Sequence, residues 1–348
     1  MGVKVRAMTT SRFPDLILDN PGALIAALPA VLGFAPEHSL VLLTVDCGEL
    51  GCVLRINLHD DPAEMALAVA HLADVAGAAQ PHAAIAVVVD PEGGDHGELT
   101  DDLAEALAGT GIELLDAHVV DRVAEGGRWY CADGCGRGGL VDDPAASPLA
   151  MAAVLDGRRL YRRRSDLEAV IAIDPARIAA LAPLMSPHTD SGTDVDPRTA
   201  VEGVVALAGR MARGHQLTDE EAAAVGLALG DLRVRDTLFA LAVGVDAGPA
   251  EELWAAVARI LPLPWRTEAL VLLAFSAYAR GDGPLAGVAL EAALCGDDDH
   301  RMAGMLDQAL QSGMRPESIR ELAVTGYRLA DQLGVTLPQR RRFRRRAG

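Results

Sequence analysis

The feature that most constrains the fold is a change of hydrophobic period along the 348-residue chain. Up to about residue 131, apolar residues form short continuous runs such as Ser39–Val45 and Ala83–Val89, which are typical of buried strands. From Ala200 to about Leu333 such runs are absent, and apolar residues recur at helical spacing. The sequence therefore predicts an α/β domain with a mixed sheet, followed by an all-α domain.

Breaker residues indicate where the domains begin and end. The stretch 186–197 is polar, acidic and flanked by prolines, which is typical of a linker. We predict an N-terminal tail at 1–10, an α/β domain at 11–185, an acidic linker at 186–199, a helical domain at 200–335 and a basic tail at 336–348.

The helical domain contains one well-marked hairpin. In the segment Ala269–Leu294, small residues stand where two antiparallel helices would cross, and Gly281-Asp282-Gly283 supplies a turn. This pattern resembles a tetratricopeptide-type helical hairpin, but no clean repeat of about 34 residues is present. The sequence predicts a single hairpin of this kind and not a full array.

Charge and lysine content exclude several classes of protein. The net charge of −18 disfavours nucleic-acid binding across the general surface, because such a surface repels phosphates. The only lysine, Lys4, precedes every predicted element. A P-loop NTPase, a Schiff-base enzyme and a protein kinase each need a lysine at the site, so none is expected in its usual form.

Cysteine usage and hydropathy indicate a cytoplasmic protein. Five cysteines are too few and odd in number for a disulfide scaffold, which favours reduced thiols. The apolar stretch Gly22–Ala35 is interrupted by Pro29 and Gly33, which favours a globular helix over an export signal. No apolar run approaches the ~18 residues of a membrane span, so no membrane association is expected.

A pair of cysteines near the end of the predicted sheet is the first candidate site. Cys131 and Cys135 enter a glycine-rich loop, and His118 on the preceding strand is a possible third metal ligand. Cys47 and Cys52 would complete a four-ligand set only if the sheet brought them close. The alternative, favoured by residue statistics, is that these are ordinary buried thiols.

Anion binding is the second candidate chemistry. The loop Gly134–Gly139 offers backbone N–H groups and Arg137 to an anion, although a mobile loop explains the same glycines. A further cluster surrounds Tyr161 and suits an anion, an acidic partner or the protein's own carboxylates; it comprises Arg158, Arg159, Arg162, Arg163 and Arg164.

Acidic runs beside helix starts are interpreted as caps. His59-Asp60-Asp61 and Asp297-Asp298-Asp299-His300 contain oxygen and nitrogen ligands for a divalent ion. Carboxylates are also favoured at helix N-termini, and we expect capping at both positions.

The last candidate is a basic terminus. The motif RRRFRRR places six arginines around Phe343: Arg340, Arg341, Arg342, Arg344, Arg345 and Arg346. Such a segment binds polyanions without specificity, including nucleic acid, acidic protein or anionic lipid. The alternative is a disordered end that only aids solubility.

Three segments carry a family resemblance. Pro29–Val41, Arg128–Cys135 and Ala274–Leu294 are similar to an actinobacterial family catalogued as domain of unknown function 4192. The resemblance implies an intracellular actinobacterial protein without an assigned activity. The family is expected to carry a richer Cys/Pro cluster after the second cysteine, where this chain has Gly136-Arg137-Gly138-Gly139.

No catalytic motif of a hydrolase or metalloprotease is present in the sequence. We therefore expect a non-enzymatic cytoplasmic protein that acts through a protein partner or by self-association, without a cofactor. The alternative is an enzyme, or a ligand- or metal-binding protein, that uses the loop from Cys131 to Gly139. A third possibility is weak nucleic-acid association through the terminal arginines.

Overall fold

A computed structural model describes residues 6–9, 20–46, 49–78, 80–155, 159–185, 195–312 and 314–341. The chain divides into two compact units, with the division between Leu167 and Glu168; the short segment Ala309–Met314 is grouped with the first unit. Most of the predicted linker, residues 186–194, lies outside the described residues. The domain limits given above therefore stay a prediction.

Among the described residues, the first unit is built on one seven-stranded sheet; the strand runs predicted a mixed sheet, which the structure confirms, but not its two edge strands. Its strand order is β1-β3-β2-β4-β5-β6-β7, in which β4 and β5 are parallel and every other neighbouring pair is antiparallel. The strands are β1 Arg6–Thr9, β2 Ser39–Asp46, β3 Glu49–Asn57, β4 Ala83–Val89, β5 Glu113–Val120, β6 Arg128–Cys131 and β7 Gly138–Leu140.

Strand β1 differs from the sequence prediction, which assigned the first ten residues to a tail. Arg6–Thr9 pairs antiparallel with the outer edge of β3. An edge strand of four residues is held by backbone hydrogen bonds along one side, and it is too short to show a period in the sequence.

Four helices of this unit are α1 Pro21–Leu32, α2 Pro62–Gly77, α3 Gly97–Gly109 and α4 Pro148–Leu155, and α4 packs against α1. One face of the sheet packs against α2 and α3 in a core that includes Leu42, Leu72 and Leu103. The opposite face carries α1, because Phe34, just beyond its end, stacks on Arg55 with the guanidinium 5.6 Å from the ring centroid.

Helix α1 begins and ends as its sequence predicts. Asn20 accepts a hydrogen bond from the Ala23 N–H at 3.3 Å, Pro21 occupies the first turn, and Gly33 ends the helix at φ 79°. Ten of its residues are buried, so α1 is a core helix and not a surface one.

The second unit is helical, in agreement with the predicted all-α region. Helix α5, Arg164–Glu168, spans the division between the units. The other helices are α6 Pro175–Leu181, α7 Pro197–Met211, α8 Asp219–Leu229, α9 Leu232–Leu238, α10 Ala247–Ile260, α11 Trp265–Arg280, α12 Gly283–Gly296, α13 Arg301–Gln311 and α14 Pro316–Leu333, with short 3-10 turns between some of them.

Helices α11 and α12 form the predicted hairpin. Gly281 turns the chain in a left-handed conformation, φ 92°, and Asp282 accepts from the Leu285 N–H at 3.1 Å to begin α12. Helix α11 is buried on all sides from Ala269 to Ala279, as expected for the central helix of a bundle.

The second unit contains two networks of partly buried ion pairs with short distances between the charged groups. The Arg280 guanidinium lies 2.8 Å from a Glu251 oxygen and 3.0 Å from Asp282, which is 2% exposed. In a second network, Glu268 accepts from Arg235 at 3.1 Å and lies 3.2 Å from His300 Nε2. In these two networks, Arg280 and Arg235 therefore each have a carboxylate within hydrogen-bonding distance.

Of the two acidic runs interpreted as carboxylate caps, the first acts in that way, whereas in the second a histidine and not a carboxylate accepts the hydrogen bond. Asp61 accepts from the Ala63 N–H at 2.8 Å at the start of α2. At the start of α13 the cap is the imidazole of His300, whose Nδ1 accepts from the Ala303 N–H at 3.2 Å. The acceptor role of Nδ1 leaves Nε2 to donate to Glu268.

Candidate metal centre

Strand register brings Cys131 next to His118. The two residues are directly opposite each other on the antiparallel strands β5 and β6. The same cross-strand row continues through Val87, Val41 and Arg55, and Arg55 lies under Phe34, so the row faces α1. Asp116 lies two residues before His118 on β5 and therefore shares its face.

Three donors converge on this face. The Cys131 Sγ lies 3.8 Å from His118 Nδ1 and 3.9 Å from Asp116 Oδ1, and His118 Nε2 lies 3.7 Å from Asp116 Oδ2. One donor atom from each residue falls within 4.8 Å of the other two. Tetrahedral Zn²⁺ with one sulfur and one nitrogen ligand needs donor atoms about 3.5 Å apart, so small adjustments bring them into range.

A second group of donors begins at the same sulfur. Cys131, Asp133 and Cys135 each place one donor atom within 4.8 Å of the other two. The loop that positions them reverses the chain with Gly134 at φ 71° and Gly136 at φ 80°. The two groups share Cys131, and together they offer two sulfurs, one imidazole and two carboxylates.

Burial differs sharply across the centre. His118 is 1% and Cys131 3% exposed, whereas Asp133 and Cys135 are exposed. Asp116 has an intermediate exposure. The centre is therefore closed on the side of the sheet and open on the side of the loop, which gives an ion a path from solvent.

Burial also decides the protonation of the inner donors. It lowers the pKa of His118, an effect that Asp116 opposes and Arg137 reinforces. The imidazole is consequently neutral at pH 7, the form that binds metal. Burial, with a hydrogen bond to Cys135 and the charge of Asp116, raises the pKa of Cys131 to about 11. A metal must displace that proton, so its affinity will depend on pH.

An aromatic side chain supports the imidazole. The ring of Trp129 lies edge-on to His118 with centroids 5.3 Å apart. Gly139 on β7 lies against the indole, because a Cβ there would fall 3.1 Å from Trp129 Nε1. The indole is therefore held between β7 and His118, which fixes the plane of a predicted ligand.

Of the predicted metal ligands, the structure brings His118, Cys131 and Cys135 to one place. Cys52 lies on β3, which is separated from β5 by two strands, and so stands apart from this centre; Cys47 lies outside the described residues. Sequence reasoning missed Asp116 and Asp133. Each stands two residues from a predicted ligand. In a strand that spacing places two side chains on the same face, but the spacing alone does not indicate a metal ligand.

Some backbone groups of the loop Gly134–Gly139 form hydrogen bonds with neighbouring residues of the same chain. The Cys135 N–H donates to the Asp133 carboxylate at 3.0 Å, and the Arg137 carbonyl accepts from the Cys131 N–H at 3.0 Å. The Arg137 guanidinium lies 3.9 Å from Asp116. Anion binding by Arg137 stays a prediction, and the guanidinium lies beside Asp116, a carboxylate of the candidate centre.

The predicted arginine cluster follows α4. Arg159, Arg162 and Arg163 are exposed, and Arg164 begins α5. Arg163 lies 3.5 Å from Glu37 of the same chain, which is one instance of the intramolecular alternative. Arg158 lies outside the described residues. Binding of an anion or an acidic partner by the cluster stays a prediction.

The described start of the basic tail forms backbone hydrogen bonds with the helical unit. Arg340 forms an antiparallel bridge with Gly244, and the Arg341 N–H donates to the Val243 carbonyl at 2.8 Å. Both arginines are exposed. The other four of the predicted set, Arg342, Arg344, Arg345 and Arg346, lie outside the described residues. Nucleic-acid binding by the tail stays a prediction.

An α/β unit with a mixed sheet, followed by a helical unit, defines the general class of this protein. A family model described as Domain of unknown function (DUF4192) matches residues 21–317, and the chain belongs to that family. Neither the curated proteins nor the solved structures contain a match to the chain. Within the described residues, every helix is too short or too polar to cross a bilayer.

Proposed function

We propose that this protein binds one divalent metal ion of the zinc class at the centre formed by Asp116, His118 and Cys131. The observation that carries the proposal is the convergence of two donor groups on one sulfur, that of Cys131. Thiolate with imidazole favours Zn²⁺ over Mg²⁺ or Ca²⁺, which prefer oxygen ligands. The proposal assigns binding and not a reaction.

The inner three residues are the core of the proposed site. They supply one sulfur, one nitrogen and one oxygen from two paired strands, so their positions are set by backbone pairing. Cys135 or Asp133 would supply the fourth ligand from the loop. Four protein ligands are typical of a structural zinc site, and three with an open position of a catalytic one.

Metal titration of the reduced full chain tests the proposal. We expect one Zn²⁺ per chain, measured by competition with a chromophoric chelator. Cys131→Ser should weaken binding at least ~100-fold, since loss of an outer partner alone costs 10–100-fold. The matched control is Cys295→Ser, an exposed cysteine on α12 in the other unit, which should bind normally. Equal affinity of both variants would contradict the proposal.

Cobalt substitution distinguishes the ligand sets. A thiolate-to-cobalt charge-transfer band is expected in wild type; in Cys131→Ser it should disappear if Cys131 is the single thiolate ligand and weaken if Cys135 is a second one. If Cys135 is the fourth ligand, the band should weaken in Cys135→Ser. If Asp133 is the fourth ligand, the band should be unchanged there and the ligand-field bands should shift in Asp133→Asn.

An interaction role has separate support on α4. Met151, Val154 and Leu155 are 54%, 61% and 87% exposed and lie on one face at helical spacing. Adjacent exposed apolar side chains are typical of an interaction surface. We propose self-association through α4 as a second candidate function. Leu155→Glu should lower the sedimentation coefficient at high concentration, whereas unchanged association would exclude this face.

A further inference from the structure

Two of the described cysteines have their sulfur atoms close together. The Sγ atoms of Cys131 and Cys135 lie within 4.8 Å of each other. Cys52 is on β3, which two strands separate from β5, and Cys295 is on α12 in the other unit. Cys131 and Cys135 are therefore the pair placed to react with each other.

The two thiols differ in burial and in their backbone surroundings. Cys131 is buried, and its N–H is held by the Arg137 carbonyl at 3.0 Å. Cys135 is exposed and stands between Gly134 and Gly136, and a Cβ at either glycine would have open space within 4 Å. Rotations at these two glycines allow Cys135 to approach a fixed Cys131 without disturbing the strand.

We propose that Cys131 and Cys135 are a reversible thiol–disulfide pair oxidised by a hydroperoxide. The exposed Cys135 sulfur attacks one oxygen of hydrogen peroxide, the O–O bond breaks, and the leaving hydroxide takes up a proton to become water. Cys135 then carries a sulfenic acid. The Cys131 sulfur attacks the Cys135 sulfur, the S–O bond breaks, and a second water leaves with the Cys131 proton.

In total, these two reaction steps convert two thiols and one hydrogen peroxide into one disulfide and two water molecules. The order of attack follows from exposure, because peroxide meets Cys135 at the surface before it can meet Cys131 under α1. Reduction by a dithiol returns both thiols by exchange. No other protein group is consumed.

Oxidation would also remove the metal. Cys131 is common to both donor groups, so a disulfide withdraws the shared sulfur from each of them. This coupling rests on the proposed metal binding, whereas formation of the disulfide does not. Oxidation of Cys131 and Cys135 would thus release the bound metal ion, and their reduction would allow the metal to bind again.

The first experiment uses the metal-free, reduced full chain with equimolar hydrogen peroxide. We expect intact mass to fall by two hydrogens and peptide mapping to give a Cys131–Cys135 link that dithiothreitol reverses. Cys295→Ser should form the link equally well, and Cys135→Ser should not form it. In Cys131→Ser, dimedone should trap a sulfenic acid at Cys135. Oxidation of Cys135 while Cys131 stays a free thiol in wild type would overturn the inference.

The second experiment separates this inference from the proposed function. In Zn²⁺-loaded protein, metal released to a chromophoric chelator should rise in proportion to the disulfide. A disulfide in a protein that binds no zinc when reduced would support the thiol pair and overturn the metal proposal. If the reduced chain binds one zinc but the metal-free chain forms no disulfide, the metal proposal would be supported and the thiol pair overturned. Circular dichroism of each variant verifies that it is folded.

Discussion

The two units treat their buried polar groups differently. In the helical unit, Arg280 meets Glu251 and Asp282 at 2.8 and 3.0 Å, the length of charge-assisted hydrogen bonds. In the sheet unit, His118 and Asp116 stand 3.7 Å apart, and Cys131 is 3.8 Å from the imidazole. The first network is made of short charge-assisted hydrogen bonds, while the second is made of longer contacts, two of which are to sulfur.

This difference indicates different roles. A complete network of opposite charges fixes the positions of helices and has no donor to spare. A set of sulfur, nitrogen and oxygen donors that converge on one another, at distances near those of ligands around one ion, is suited to metal binding. The comparison predicts that changes in the helical unit affect stability alone, and that changes in the sheet unit affect binding.

The largest expected effect is on stability, from Asp282→Ala. The change removes the N-cap of α12 and leaves the Arg280 guanidinium with one carboxylate partner fewer. We expect the free energy of unfolding to fall by ~2–4 kcal/mol, measured by urea denaturation. Zinc affinity should not change.

The matched control for this change is Asp298→Ala. Asp298 is exposed in the loop between α12 and α13. A surface substitution of this kind should alter the unfolding free energy by less than ~0.5 kcal/mol. A loss below ~1 kcal/mol in Asp282→Ala would show that the Arg280 network is not a main determinant of stability.

Adding zinc is expected to raise the free energy of unfolding by an amount comparable to the loss in Asp282→Ala. An ion that binds only the folded chain stabilises it by about 2.7 kcal/mol at 100 times its Kd. Asp282→Ala should show the same gain as wild type, and Cys131→Ser should show none. Thermal unfolding with and without zinc measures the gain. A gain that survives in Cys131→Ser would place the ion elsewhere.

A smaller effect concerns pH and the helical unit. Burial opposes ionisation of Glu221, but hydrogen bonds from His215, Arg210 and the Thr218 N–H outweigh it and lower the pKa of Glu221 to about 2, from 4.5. Because the folded-state pKa is depressed, the stabilisation is complete above pH 4.5 and is lost as pH falls towards 2.

Glu221→Gln tests this effect. At pH 7 we expect the variant to be less stable than wild type by ~1 kcal/mol. The difference should shrink as pH is lowered from 4.5 towards 2, because wild-type Glu221 then takes up a proton. Urea midpoints measured across that range provide the comparison. A difference independent of pH would assign the loss to packing instead.

The smallest effect is expected from Gly139→Ala. The new Cβ would press on Trp129 at 3.1 Å and move the indole by a few tenths of an ångström. Because Trp129 lies against His118, zinc affinity should fall by less than ~10-fold, and tryptophan fluorescence should shift. Gly203→Ala on α7, where a Cβ meets open space, is the control and should leave affinity unchanged.

The sequence was sufficient for most of the fold because its signals are local. Asn20-Pro21 and Gly33 mark the ends of α1 by cap chemistry that the structure confirms. Helix α6 was missed although Asp174-Pro175 carries the same signal, with Asp174 accepting from the Arg177 N–H at 3.1 Å. Its seven residues are too few for a hydrophobic period to be visible.

The centre was only partly predictable because it depends on strand pairing. His118 and Cys131 are 13 residues apart, and only the register of β5 with β6 places them side by side. Asp116 and Asp133 are ordinary acidic residues in an acidic chain, so their type gave no signal. Their place beside His118, Cys131 and Cys135 follows from which strand face and which turn they occupy.

The pairing of β5 with β6 has a consequence for how such a centre is inherited. Side chains alternate between faces, so one inserted or deleted residue in the connection that shifts the register would turn Cys131 to the face opposite His118. Every ligand would remain in the sequence, yet the centre would be gone. Among relatives of this chain, the distance in residues between His118 and Cys131 is therefore as informative as the presence of either residue.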